Sequence, residues 1–410
     1  EGDGDVDLVL GRVGVTNIIW YANDGAGIFT SMGTLDPLGD AVVVVTADID
    51  GDLDDDLFAL RETTSSVWWL PNLGGGSFGS AIAIDTSQAF MSEPTSAAFA
   101  DFDSSGSLDC VVVFRSDNAL AWYENTAGDG STWTRHNLPY TPLYPFMVRA
   151  GDFNNDGRPD VVVSSEGQLA WLANVQPKSP SPHWTVHIID SGSLYALTAL
   201  AIGDINGDGR HDIAFASDVS GAGGLHLLAW YPGLDSGGFG SRKQLSSEFH
   251  AKRLLILDVD GDGLGDVVAQ GTSPSSDSSI ALFRNDLGAM PATSKYRGLI
   301  SRKEAVPNAP SEASFVAAGD VDGDLIVDVV FVGESTDVVA WQRGVGGGEL
   351  DTAPRSILSD FNGASMVVLV DVDTDGDLDV IAAAATAGVP LIWAENVGAT
   401  GDFAVIHTIS

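Results

Sequence analysis

Apolar residues fall in short runs along the whole chain, each ended by Gly, Asp, Asn or Ser; Val42-Val43-Val44-Val45, Leu57-Phe58-Ala59-Leu60 and Val67-Trp68-Trp69-Leu70 follow one another in this way. Short runs rich in Val, Ile, Thr and Trp between turn-forming residues predict β-strands. The runs come in groups of four, and the group recurs about every fifty residues. Each group reads as an apolar run, the segment Asp-x-Asp/Asn-x-Asp-Gly-x-x-Asp, a second apolar run, a polar turn, a third run ending in Trp-x-x-Asn or a variant, a glycine-rich turn, and a fourth run. Complete acidic segments open at Asp48, Asp101, Asp152, Asp204, Asp258, Asp320 and Asp371, and a copy without its first two positions starts at Glu1.

Four strands per unit, repeated eight times, predict an all-β fold: an eight-bladed β-propeller of four-stranded blades. The units cover approximately 1–40, 41–93, 94–144, 145–196, 197–251, 252–312, 313–364 and 365–410, read together as one domain over 1–410. Inner strands such as Val42–Ala47, Leu254–Leu257 and Met366–Val370 precede the complete loops, whereas the first unit has none of its own. The first blade is therefore expected to lack its inner strand, or to be completed by a segment outside this sequence. Trp20, Trp69, Trp122, Trp171, Trp230, Trp341 and Trp393 occupy one slot of the repeat, with Leu282 in the sixth unit. A large aromatic at one repeated slot points to packing between neighbouring units.

The acidic segments carry the candidate chemistry. Calcium takes six to eight hard oxygen ligands, and side-chain oxygens at positions one, three, five and nine with the carbonyl of position seven supply them. Position six favours glycine because the turn around an ion needs positive φ. The ligand sets are Asp48, Asp50, Asp52, Asp54 and Asp56; Asp101, Asp103, Ser105, Ser107 and Asp109; Asp152, Asn154, Asp156, Arg158 and Asp160; and Asp204, Asn206, Asp208, Arg210 and Asp212. The later sets are Asp258, Asp260, Asp262, Leu264 and Asp266; Asp320, Asp322, Asp324, Ile326 and Asp328; and Asp371, Asp373, Asp375, Asp377 and Asp379. The first loop offers Glu1, Asp3, Asp5 and Asp7 and is incomplete. Up to eight Ca2+ sites are expected, the third the weakest because Ser105 replaces a carboxylate. Leu53 and Leu325 stand where glycine belongs in the second and seventh loops, at a cost in strain.

Composition sharpens this. The formal charge of −38 comes from 57 acidic against 19 basic residues, and more than half of the acids sit at loop positions. Such a charge excludes nucleic acid and anionic membranes as partners, and no apolar run is long enough for a membrane-spanning helix. Cys110, the single cysteine, lies in an apolar run and reads as a buried small hydrophobe.

The acidic segment, followed by Trp20-Tyr21-Ala22-Asn23-Asp24-Gly25-Ala26-Gly27-Ile28-Phe29 and its counterparts, resembles the FG-GAP and VCBS repeats of integrin α-subunit heads and of many secreted microbial and algal proteins. The resemblance covers essentially the whole chain. It implies a propeller with calcium in the loops joining the first and second strands of each blade, on the face opposite the ligand in integrin heads. Integrin heads have seven blades, so the eighth repeat departs from them.

The opposite face is the candidate ligand face. Phe90, Tyr144, Phe146, Tyr195, Phe249 and Phe361 precede inner strands, and Arg149, His250, Lys252 and Arg253 are scarce basic groups nearby. Aromatic rings with cations suit a sugar or a protein partner. An insertion from Gly288 to Ala313 carries Lys295, Arg297, Arg302 and Lys303 and is a further contact candidate. The leading expectation is a non-enzymatic, calcium-stabilised scaffold or adhesion module at the cell surface or outside the cell, part of a larger surface or filament protein and open to self-assembly. The alternatives are a carbohydrate-binding propeller and a calcium-dependent polysaccharide lyase with His250 as base beside Lys252 or Arg253. The repeated tryptophans do not follow the docking pattern of quinone-dependent dehydrogenases.

Overall fold

The computed structural model describes residues 3–11, 18–35, 41–87, 92–176, 183–192, 194, 196–218, 226–272, 279–285, 302–305, 313–333, 337–347, 349–384 and 391–409. These form eight antiparallel sheets in chain order. The first has three strands, Leu8–Gly11, Ile18–Asn23 and Phe29–Leu35, and each of the other seven has four consecutive strands. The chain divides into two compact units. One holds 1–22, 31–197 and 234–238, with the second to fourth blades and most of the first; the other holds 23–30, 198–233 and 239–410, with most of the fifth blade and the sixth to eighth.

Second strands are buried on both faces, as in Asp109–Phe114, Asp160–Ser165 and Asp328–Gly333. Both faces need apolar side chains there, so the sequence shows continuous runs instead of alternation. The cores lie between consecutive blades. In the first unit Phe58, Leu60, Val67 and Trp69 meet Cys110, Val112 and Phe114 across the second and third blades. In the second unit Val330, Val332 and Trp341 meet Val367, Val380 and Ile392 across the seventh and eighth. Cys110 is fully buried, and burial raises its thiol well above the ordinary range.

The glycine-rich turns explain the tryptophan slot. Trp69, Trp122, Trp230, Trp341 and Trp393 are almost fully buried, and in four units the indole lies against a glycine of the following blade's turn. A Cβ on Gly130 would fall 2.3 Å from Trp69, one on Gly401 2.1 Å from Trp341, one on Gly27 1.9 Å from Trp393 and one on Gly238 3.1 Å from Trp171. The opposite side of the indole is covered by the fourth strand. His136, His187 and His407 stack on Trp122, Trp171 and Trp393, while Lys243 lies over Trp230 and Arg355 over Trp341. These residues stand directly opposite the tryptophans in the strand register. This cationic or imidazole cap adds cation–π and stacking contacts to apolar burial, and it escaped the sequence pattern because the cap itself takes three residue types and Ile82 stands in its place opposite Trp69.

A bulge recurs near the start of inner strands, at Ala41/Val43, Pro94/Ser96, Ala251/Arg253, Ala313/Phe315 and Ala364/Met366. Hydroxyls in this region tie one blade to the next: Thr95 donates to the Phe146 carbonyl, Thr198 to that of Ala251 and Ser314 to that of Ala364.

Gly130→Ala tests the indole–glycine contact. The new methyl must displace Trp69, and φ at this position is +68°. Overpacking and a left-handed backbone together predict a loss of about 2–4 kcal/mol. Gly192→Ala, with φ +80° and no atom within 4 Å of the added carbon, carries only the backbone term of about 1–2 kcal/mol. Thermal unfolding of the two variants checks the difference, and equal losses would count against the packing role.

Candidate metal-binding loops and relation to known proteins

Each complete acidic loop joins the first strand of a blade to its second, and its hydrogen bonds repeat. The position-one carboxylate accepts backbone N–H groups across the turn: Asp204 from Asp208 and Gly209, Asp320 from Asp324 and Leu325, and Asp152 from Asp156 and Gly157. Position five accepts the N–H of position seven at 2.9–3.0 Å in Asp208 to Arg210, Asp262 to Leu264 and Asp324 to Ile326. Two residues per loop take positive φ, at position four (Gly51, Ser104, Asn155, Gly207, Gly261, Gly323, Thr374) as well as position six. Leu53 and Leu325 adopt φ of 77° and 66° with side chains 90% exposed. The strain read from the sequence is therefore present in both loops.

Position nine is the centre of the arrangement. Asp56, Asp109, Asp160, Asp212, Asp266, Asp328 and Asp379 are fully buried. One oxygen accepts the N–H of position two, as in Ile49 to Asp56, Val259 to Asp266 and Val372 to Asp379. The other accepts the N–H at the end of the third strand: Asn72 to Asp56, Asn125 to Asp109, Asn174 to Asp160, Gly233 to Asp212, Asn285 to Asp266, Gly344 to Asp328 and Asn396 to Asp379. Sequence reasoning assigned position nine as a ligand alone and missed this staple. It also missed position two, where Ile49, Phe102, Phe153, Ile205, Val259, Val321 and Val372 are all buried; their uniformly apolar character was the available signal.

The Asn of Trp-x-x-Asn then reaches one blade back to the carbonyl of position two. Within the first unit Asn125 donates to Ile49 and Asn174 to Phe102; within the second Asn285 donates to Ile205, Asn396 to Val321 and Asn23 to Val372. Gly233 and Gly344 occupy this slot in the fifth and seventh blades and lack the side chain. Asn72 turns to the Asp55 carbonyl of its own loop.

Carboxylate oxygens converge in several loops. Asp48, Asp50 and Asp52 lie within 4.8 Å of one another, as do Asp101, Asp103 and Asp109; Asp258, Asp260 and Asp262; and Asp320, Asp322 and Asp328. Oδ1 of Asp50, of Asp322 and of Asp371 is buried without a hydrogen-bond partner. An acceptor taken from water with no donor is unfavourable, and a hard cation satisfies it, so the donor sets fit a metal with oxygen preference. The third loop keeps three carboxylates together despite Ser105, whose hydroxyl lies 3.1 Å from that of Ser107. Some loops carry an internal cation: Arg158 pairs with Asp156 and Arg210 with Asp208, and Arg343 pairs with both Asp322 and Asp324 of the seventh loop. Glu1 lies outside the described residues. Asp5 and Asp7 of the first loop line a cleft of about 400 Å3 with Val9, Trp20, Asp54 and Phe78.

The residues proposed for a ligand face separate. Phe249 and Phe361 are buried in blade cores and drop out, because the following inner strands carry them inward. Tyr144 and Phe146 are exposed, with the Arg115 guanidinium over Phe146. Arg149 is largely withdrawn from water, donates to the Val148 carbonyl and has its pKa lowered by burial. Arg253 lies 3.9 Å from the Phe315 ring centroid, and Lys252 is exposed. His250 faces Asp218 and His226. Phe90, Tyr195 and most of the Gly288–Ala313 insertion lie outside the described residues.

Antiparallel blades, eight in number, with an acidic loop between the first and second strands define an all-β propeller. Residues 48–112, 101–163, 152–215 and 320–382, more than half of the chain, match the FG-GAP-like repeat, and the chain belongs to that family. It is similar to protein linkin of Caenorhabditis elegans, at 25% identity over 253 residues, 56% of this chain and 40% of linkin; it thus spans less than half of that relative. Its fold is similar to that of an Agrocybe aegerita lectin recognising non-reducing terminal N-acetylglucosamine, with a TM-score of 0.57, 15% identity and coverage of 99% of this chain and 90% of the lectin. A Lactobacillus plantarum protein has a TM-score of 0.50 at 12% identity, covering 87% of this chain and 96% of that one.

Two predictions follow from the buried carboxylates. Without metal, Asp379→Ala leaves the Val372 and Asn396 N–H groups buried and unpaired and should cost about 2–5 kcal/mol, whereas Asp373→Ala, at an exposed turn, should cost less than about 1 kcal/mol. Melting in excess chelator checks this ranking. Burial pushes the Asp109, Asp212 and Asp266 carboxyls up to about 7 and those of Asp56, Asp160, Asp328 and Asp379 up to about 6, from an ordinary 3.8, with backbone hydrogen bonds opposing. The native state then holds these protons more tightly than the unfolded chain, so metal-free stability is greatest at mildly acidic pH and falls as pH rises from about 4 towards 7. Metal binding needs the ionised form, so calcium should reverse the slope. Melting temperatures in chelator that rise over this interval would contradict the assignment.

Proposed function

We propose that this FG-GAP-like propeller is a calcium-stabilised, non-enzymatic scaffold or adhesion module that acts outside the cell or at its surface. The carrying observation is the recurrent loop in which side-chain oxygens converge while Asp50 Oδ1 and Asp371 Oδ1 stay buried without a donor. The ions would be held by positions one, three, five and nine with the carbonyl of position seven, in loops whose backbone hydrogen bonds already set the turn. Calcium supplies positive charge that relieves repulsion among the carboxylates. Asp322 and Asp324 are already balanced by Arg343, so the seventh loop should bind its ion more weakly than complete loops without such a pair. The eight repeats act as one domain in this reading.

The partner reading is a protein or glycan at the strand ends away from the acidic loops. The specific observation favouring a glycan is the exposed pair Tyr144 and Phe146, with Arg115 over the Phe146 ring, since flat aromatic faces beside a cation suit sugar rings. The lectin neighbour supports a fold compatible with that role. The lyase reading is less favoured: His250 is directed at Asp218 and His226, and Arg253 at Phe315, which leaves Lys252 alone as a cation beside the proposed base.

Excess chelator should lower the melting temperature substantially, and added Ca2+ should restore it with more than one equivalent bound in calorimetric titration. An unchanged melting temperature in chelator would overturn the calcium reading. A glycan array probed in calcium, with Phe146→Ala as comparison, tests the glycan reading separately.

A further inference from the structure

A second group of metal-ligating side chains lies in the fifth and sixth blades, away from the acidic loops. The strand Asp212–Asp218 starts at the buried position-nine aspartate and ends at Asp218, so the two residues mark its opposite ends. Asp218 is the register partner of His226 on the next strand, and His250 opens the inner strand of the sixth blade. His226 Nδ1 is 2.9 Å from Asp218 Oδ1, and His250 Nε2 approaches the same oxygen at 3.4 Å. The imidazoles are stacked, with centroids 4.4 Å apart and planes inclined by 10°, so one ring must turn for both in-plane nitrogen lone pairs to meet one ion. One ligand atom from each residue lies within 4.8 Å of the other two. His250 Nε2 is buried and makes no hydrogen bond.

Two features point to a ligand. A buried imidazole nitrogen beside a carboxylate, yet without a hydrogen bond, is an unfavourable arrangement for a merely structural histidine. The donor set also differs from that of the acidic loops, because imidazole nitrogens are borderline donors suited to zinc, copper or nickel, whereas all-oxygen sets suit calcium. We propose that Asp218, His226 and His250 form a binding site for a divalent first-row transition ion of the zinc type, held by Oδ1, Nδ1 and Nε2. Three protein ligands leave a fourth tetrahedral position for water or for an atom of a bound partner. Burial lowers the pKa of His250, with Asp218 opposing. Partial exposure of all three side chains gives an ion access.

The site is independent of calcium in the acidic loops, and its test keeps the two apart. The full chain is incubated with Zn2+ in saturating Ca2+, gel-filtered and analysed for metal content. One zinc per chain is expected, with affinity reduced at least tenfold in His226→Ala, His250→Ala and Asp218→Asn and unchanged in Asp371→Asn. Because the histidine variants can lose folding, Co2+ is titrated into the unaltered protein. Intense visible bands of a four-coordinate site with imidazole ligands, together with paramagnetic shifts of the His226 and His250 ring signals, support the assignment. Only the weak bands of an all-oxygen octahedral site, no zinc retained in calcium, or zinc retained in full by folded His226→Ala and His250→Ala, would overturn it.

Discussion

The buried position-nine carboxylate is the constraint on which the rest of the blade depends. A charged group withdrawn from water is costly unless its lone pairs are used, and here both oxygens accept backbone N–H groups from segments far apart in the chain. Asp379 joins Val372, at the start of its loop, to Asn396, at the end of the third strand. One side chain therefore fixes the exit of the inner strand, the start of the second strand and the end of the third. In blade four the Trp171 indole N–H adds a third contact to Asp160 at 3.1 Å.

From that staple the order passes between blades. The asparagine whose N–H is held by position nine uses its side-chain amide to reach the preceding blade, and its Oδ1 accepts turn N–H groups, as Asn125 does from Gly128 and Gly130. Gly130 is thereby set against Trp69 of the blade before. Loop, turn, tryptophan and inter-blade contact are parts of one hydrogen-bonded unit, which accounts for their recurring together at fixed offsets. Gly233 and Gly344 lack the side chain for this amide bond, and the seventh blade is tied to the sixth instead by Gln270 and Ser279, which bond the Ala313 carbonyl and N–H.

In the proposed calcium-bound state this coupling would give the acidic loops two roles with opposite charge requirements. As a staple in an apolar surrounding, position nine is drawn towards protonation, its pKa raised by burial; as a metal ligand it must be ionised. Calcium would reconcile them by placing positive charge where desolvation otherwise penalises the carboxylate. A net charge of −38 concentrated in such loops would make the cohesion of the proposed calcium-bound chain respond to calcium and to pH together.

Repetition made the all-β class, the blade count, the acidic loops and the tryptophan slot readable directly, because a requirement repeated in every blade leaves the same residue type at the same offset. The strained Leu53 and Leu325 were legible for the same reason, since position six is glycine in the other loops. Features met by several residue types were not: a basic or imidazole cap over the tryptophan is His136, Lys243 or Arg355. Contacts between blades were also hidden, because Asn174 and Phe102 or Gly401 and Trp341 meet only when separate repeats are brought side by side. Burial likewise decided among the proposed rim aromatics, taking Phe249 and Phe361 into the core while leaving Tyr144 and Phe146 outside. His226, Asp218 and His250 carry no sequence motif; strand pairing set the first two opposite one another, and the neighbouring blade's inner strand supplied the third. Local chemistry was thus written in the repeat, while the meeting of distant side chains belonged to the packing of one blade on the next.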